Sequence, residues 1–192
     1  MKNVAIIDGF AEGKWHHRIL NEQLRASGYN VTSTIEQADV VIAHSAGCFF
    51  LPDASLNQII LLIGPPYWPG KPLMKSMNQK VRSDFNARKK EGNLRYFAVK
   101  TFWNITYCFQ DLSKVSHMRH QAKKHNLPEI IKDKDVHIIR NHDDSWLSPE
   151  ARGLLAGTDG RYHTLPGDHD DAWVNPKPYV EILERIRVSR VK

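Results

Sequence analysis

Apolar residues in this chain gather in short runs separated by polar stretches rich in glycine and proline. Val4-Ala5-Ile6-Ile7, Val40-Val41-Ile42 and Ile59-Ile60-Leu61-Leu62-Ile63 lack the alternation of a half-exposed strand. A strand that is apolar at every position must be covered on both faces, which is the condition inside a parallel sheet. Further strands are predicted over Tyr29 to Ser33 and Val136 to Arg140, with a weaker one over Arg161 to Leu165; the strand carrying Val40 to Ile42 is read from Asp39 to His44. A helix is predicted from about Lys14 to Ala26, with Trp15, Ile19, Leu20 and Leu24 at helical spacing and Ser27-Gly28 as its stop. The chain ends in a second amphipathic helix, Pro178 to Val188, with Val180, Ile182, Leu183, Ile186 and Arg187 in rhythm. Strands alternating with helical segments predict an α/β fold with a parallel sheet.

Between these elements lie two informative stretches. Gly64-Pro65-Pro66-Tyr67-Trp68-Pro69-Gly70 cannot continue a sheet, because proline lacks the ladder N–H, so it is read as a loop. From Leu73 to about Asn126 the pattern turns helical and mixed, with Phe97, Phe102, Trp103, Tyr107 and Phe109 close together, and it is read as inserted helices.

The chain has 192 residues, enough for one domain with a full core and no metal or disulfide staple. The apolar run after Met1-Lys2-Asn3 is too short for the core of a signal peptide, and no run approaches the length of a membrane span, so a cytoplasmic protein without a membrane partner is expected. The two cysteines, Cys48 and Cys108, have no metal or redox spacing and are expected as free, buried thiols. The formal net charge is +6, gathered partly in Arg88-Lys89-Lys90 and around Arg119, Lys123 and Lys124. Charge runs of this kind are ordinarily solvated helix faces, and no nucleic-acid motif accompanies them, so nucleic-acid binding is only a minor alternative.

The candidate chemistry starts at Ala43-His44-Ser45-Ala46-Gly47, directly behind the third strand. Small residues on both sides of a serine let strand and helix backbones approach closely around a sharp turn, as in a nucleophile elbow. A serine hydroxyl needs a base to take its proton and a third group to hold that base in the right tautomer. Two later loops offer them: Asn141 to Pro149, with Asp143 and Asp144, and Pro166 to Asp171, with His169. Both follow strands, so in a parallel sheet they emerge at the same edge as Ser45.

With serine, acid and histidine in that order, the chain resembles the α/β-hydrolase superfamily over nearly its whole length. Its scale is similar to that of the small retinoblastoma-binding-protein-type serine hydrolases. The usual glycine before the elbow is Ala43 here, the histidine of the first loop is replaced by Asp8, and Asn141 stands where the acid loop commonly has glycine. The resemblance implies Ser45 as nucleophile, Asp144 as acid with Asp143 as its rival, and His169 as base. It also implies an oxyanion hole from the backbone N–H groups of Phe10 and Ala46. A six-stranded parallel sheet is expected, ordered second, first, third, fourth, fifth, sixth, in a single domain over residues 1–192. The insertion at about 73–128 would form a helical lid.

Tyr67, Trp68, Phe102 and Trp103 are the candidate substrate-contacting residues, with core packing as the competing reading. The expected partner is a small acyl substrate, with no cofactor. Asp168-His169-Asp170-Asp171 also reads as a metal cluster, but side chains of consecutive residues rarely converge on one ion. The implied activity is cleavage of an ester, thioester or related acyl bond. Acyl transfer, or a silent hydrolase-like binding scaffold, are the alternatives.

Overall fold

A computed structural model of the chain describes residues 2–7, 9, 17–45, 47–48, 51, 57–65, 98, 116, 120, 127–144 and 161–190. Among them run strands β1 (Lys2–Ile7), β2 (Tyr29–Thr32), β3 (Val40–His44), β4 (Ile59–Ile63), β5 (Asp135–Asn141) and β6 (Tyr162–Leu165). The helices are α1 (Arg18–Ala26), α2 (Leu127–Ile131), α3 (Asp171–Val174) and α4 (Lys177–Ser189), with a 3-10 turn at Ile35–Gln37. The strands make one sheet in the order β2-β1-β3-β4-β5-β6, and every neighbouring pair is parallel. That is the strand number, direction and order expected from the sequence.

The unbroken apolar runs have their cause in this arrangement. Along β3 and β4, Val40, Ile42, Ile59, Leu61 and Ile63 join one core cluster, while Val41, Ala43, Ile60 and Leu62 join the other. The first cluster also takes in Leu20 and Leu24 of α1, Trp173 of α3, and Tyr179, Val180, Ile182, Leu183 and Ile186 of α4. The second takes in Cys48, Leu51 and Leu127, the first residue of α2, with Ile131 packed against it. The sheet is thus buried from both sides, and each fully buried aliphatic side chain stabilises the fold by about 1.5–3 kcal/mol relative to exposure. The edge strands β2 and β6 are less buried than β3 and β4, which explains their weaker apolar signal.

One local feature differs from the sequence reading. The buried face of α1 consists of Leu20 and Leu24, with His17 just ahead of the helix, whereas Ile19 is 49% exposed. Residues 17, 20 and 24 share one side at helical spacing, and Ile19 falls off it. The short link before β3 holds only the 3-10 turn, anchored by the buried Gln58, whose Nε2 donates to the carbonyls of Ile35 (2.5 Å) and Ala38 (2.7 Å). No helix among the described residues is long and apolar enough to cross a membrane. Most of the 73–128 insertion lies outside the described residues; Ala98, Ser116 and His120 within it are helical and exposed.

Candidate active site

Because neighbouring strands are parallel and in register, their carboxyl ends lie along one sheet edge. His44 pairs with Ile63, Ile63 with Ile139, and Asn141 with Leu165. The residues that follow, Ser45 after β3, Gly64 after β4, His142 to Asp144 after β5 and Pro166 to His169 after β6, therefore share that edge. Ser45 has a φ of 51°, the left-handed region that L-residues avoid because Cβ crowds the following carbonyl. Such a residue costs about 1–3 kcal/mol and persists only where the surroundings enforce it. Asp133, the other non-glycine residue with positive φ among those described, belongs to a type that tolerates it better through local hydrogen bonding. Downstream, Cys48 is fully buried, and burial pushes its thiol well above the ordinary range, keeping it neutral.

The two later loops meet through Asp144 and His169, whose Oδ2 and Nδ1 are 2.9 Å apart. A carboxylate oxygen accepts, so Nδ1 carries the proton, which leaves Nε2 as the ring's lone-pair nitrogen. The Asp144 side chain has no exposure and that of His169 retains 14%. Asp143 turns elsewhere: its Oδ1 is 3.0 Å from His142 Nδ1, and both side chains are largely exposed. Of the two carboxyl groups left open by the sequence, Asp144 is the one that reaches the histidine.

Main-chain hydrogen bonds zip the same loops together. The His142 N–H donates to Leu165 O (2.8 Å), Asp143 N–H to Gly167 O (3.0 Å) and Asp144 N–H to Asn141 O (3.1 Å). Gly64 presses on the pair from β4, with a φ of 53°. A Cβ there would lie 2.6 Å from Asp144 Oδ2 and 2.9 Å from His169 Nδ1. Nothing in the sequence identified Gly64 beyond its place at the end of an apolar run.

A buried aromatic group adjoins His169. The His44 ring lies 4.7 Å from the His169 ring and 4.8 Å, edge-on, from Trp173, which stacks on His17 at 4.6 Å. His44 and His17 are both buried. His44, His169 and Asp170 also bring ligand atoms within 4.8 Å of one another. His169 Nδ1 is engaged by Asp144 and His44 Nε2 by a carbonyl. Phe10, Ala46, Tyr67, Trp68, Phe102 and Trp103 lie outside the described residues.

No protein-family model and no curated protein matches the sequence. Solved structures do match its fold. A hydrolase from Oleispira antarctica, olei00960, aligns with a TM-score of 0.63 at 14% identity, over 97% of this chain and 90% of its own. MGS-MChE2, an alpha/beta hydrolase enzyme from the metagenome of lagoon sediments of Mar Chica, Morocco, aligns with a TM-score of 0.57 at 12% identity, over 100% of this chain and 92% of its own. A structure from work on carboxylesterases of the thaumarchaeon Nitrososphaera gargenis gives 0.55 at 12% identity, over 97% and 90%.

Proposed function

We propose that this chain, whose fold is that of the α/β-hydrolase superfamily, is a serine hydrolase that cleaves an ester, thioester or related acyl bond. The observation that carries this reading is the Asp144–His169 hydrogen bond at the sheet edge where Ser45 follows β3 in a left-handed conformation. The hydrolase and carboxylesterase names of similarly folded structures agree with it.

In the proposed reaction His169 Nε2 takes the proton of Ser45 Oγ as the oxygen attacks the acyl carbon. Asp144 holds the ring tautomer and stabilises the imidazolium that forms. The N–H groups of Phe10 and Ala46 would stabilise the oxyanion. Collapse of the tetrahedral intermediate breaks the bond to the leaving group, which receives the proton from His169. Water, deprotonated by the same nitrogen, then attacks the acyl-serine, releasing the acid and restoring Ser45.

A fluorophosphonate probe is expected to label the folded protein at Ser45 and to leave Ser45→Ala unlabelled. His169→Ala is expected to slow labelling by about 10² to 10⁴. A folded wild-type protein that takes no label overturns the proposal. Short-chain p-nitrophenyl esters then test turnover, and adding alcohol or amine acceptors separates hydrolysis from acyl transfer by the products formed.

A further inference from the structure

We infer that His44, Asn141 and Tyr179 are positioning residues for His169, holding the two successive backbone carbonyls at the histidine so that its Nδ1 faces Asp144. The inference rests on the hydrolase reading for its consequence in rate, but its geometry stands apart from it. Asn141 Nδ2 donates to the carbonyl of Asp168, and His44 Nε2 donates to the carbonyl of His169 at 2.7 Å. Carbonyl oxygens only accept, so the Asn141 amide must turn its nitrogen to Asp168 and His44 must carry its proton on Nε2. The Asn141 oxygen then faces Tyr179, whose hydroxyl donates to it at 2.7 Å. Burial, the largest influence on Tyr179, raises its pKa and keeps that proton in place.

The three side chains are buried, at 0% exposure for His44 and 1% for Asn141 and Tyr179. Water therefore offers little substitute for a lost partner, and a bond removed leaves a buried polar group unpaired. Asn141 also closes the acid loop, since its own carbonyl accepts the N–H of Asp144. One residue thus ties the acid's turn to the peptide just before the histidine. His44 ties the peptide just after it to the residue preceding Ser45. With both peptide planes held, the direction of the His169 Cα–Cβ bond is set by β3 and β5 and backed by α4. Misplacing a reacting group by about 1 Å can cost about 10² in rate, so such a clamp matters to chemistry and not only to folding.

Tyr179→Phe keeps the ring and its packing while deleting the donor. Three readouts on the full chain test it: the rate of fluorophosphonate labelling, the low-field resonance of the His169 Nδ1 proton, and the thermal midpoint. Labelling is expected to slow by about tenfold, the yield of a lost buried hydrogen bond, and the resonance to shift or broaden. Ile186→Val, a packing change in the same helix, is expected to lower the midpoint while leaving rate and resonance as in wild type. At the second clamp, His44→Gln retains an N–H donor and is expected to keep more of the labelling rate than His44→Phe, which has none. Tyr179→Phe and His44→Phe proteins that melt earlier yet keep the wild-type resonance and labelling rate overturn the inference. If wild type takes no label, the hydrolase reading fails by itself, and the response of the resonance still decides the clamp.

Discussion

Gly64 shows how a single residue can be required without being chemical. Its backbone lies against the Asp144–His169 pair, and the absence of a side chain is what allows the carboxylate to approach. Gly64→Ala adds a methyl group 2.6 Å from Asp144 Oδ2 at a φ of 53°, so both the pair and the local backbone must shift. Labelling of Ser45 by a fluorophosphonate is expected to slow by about 10² in Gly64→Ala, with the far-ultraviolet circular dichroism unchanged. A near-wild-type rate would mean that the pair has room to spare. At this scale sequence reading reached unequal depths. Ser45, Asp144 and His169 belong to residue types with recognisable chemistry in a recognisable order, so they could be singled out. Gly64, His44 and Tyr179 act through shape or through a hydrogen bond to a distant segment, and such partners leave no local pattern.

The strands and helices follow from burial. In α4 Val180, Ile182, Leu183 and Ile186 are buried as the periodicity indicated, Tyr179 joins them and Arg187 is exposed instead, and Pro178 sits in the first turn, where its missing N–H costs nothing. Leu183→Ala is expected to destabilise the protein by about 2–5 kcal/mol in urea unfolding, whereas Glu181→Ala on the exposed side of the same helix should change stability by no more than about 0.5 kcal/mol. Equal effects from the two would contradict the packing of α4 on the sheet. Strand β4 was readable to its ends, Ile59 and Ile63, because neighbours on both sides and cover on both faces demand an apolar residue at every position. Strand β6, at the sheet's edge, keeps Thr164 exposed, and its pattern is correspondingly diluted.

Across the whole molecule, a titratable cluster lies at a distance along β5 and β6 from the Asp144–His169 pair. His137 Nδ1 is 3.3 Å from His163 Nε2, their rings stack at 5.6 Å, and Asp135 Oδ1 is 3.5 Å from His137 Nε2 and 3.7 Å from Arg161 Nη1. Arg190 also pairs with Asp135. Burial first, then His163 and Arg161, lower the His137 pKa from 6.5 to about 4, and burial with Arg185 lowers that of His163. The folded state thus binds these protons less readily than the unfolded chain. Above pH 6.5 the His137 effect vanishes; stability falls as the pH drops from 6.5 towards about 4, and below that this group adds no further loss. Thermal midpoints measured across that window should decline less steeply in His137→Gln than in wild type, and parallel curves would show that the histidine does not contribute. By itself the sequence determined the class of fold and its six strands and singled out candidate reactive residues, because burial periodicity and reactive groups are properties of local segments. Only the tertiary structure decided that Asp144 rather than Asp143 meets His169, and that His44, Gly64, Asn141 and Tyr179 surround that meeting. Those choices depend on contacts between segments far apart in the chain, which form only once the parallel strands bring their ends to one edge.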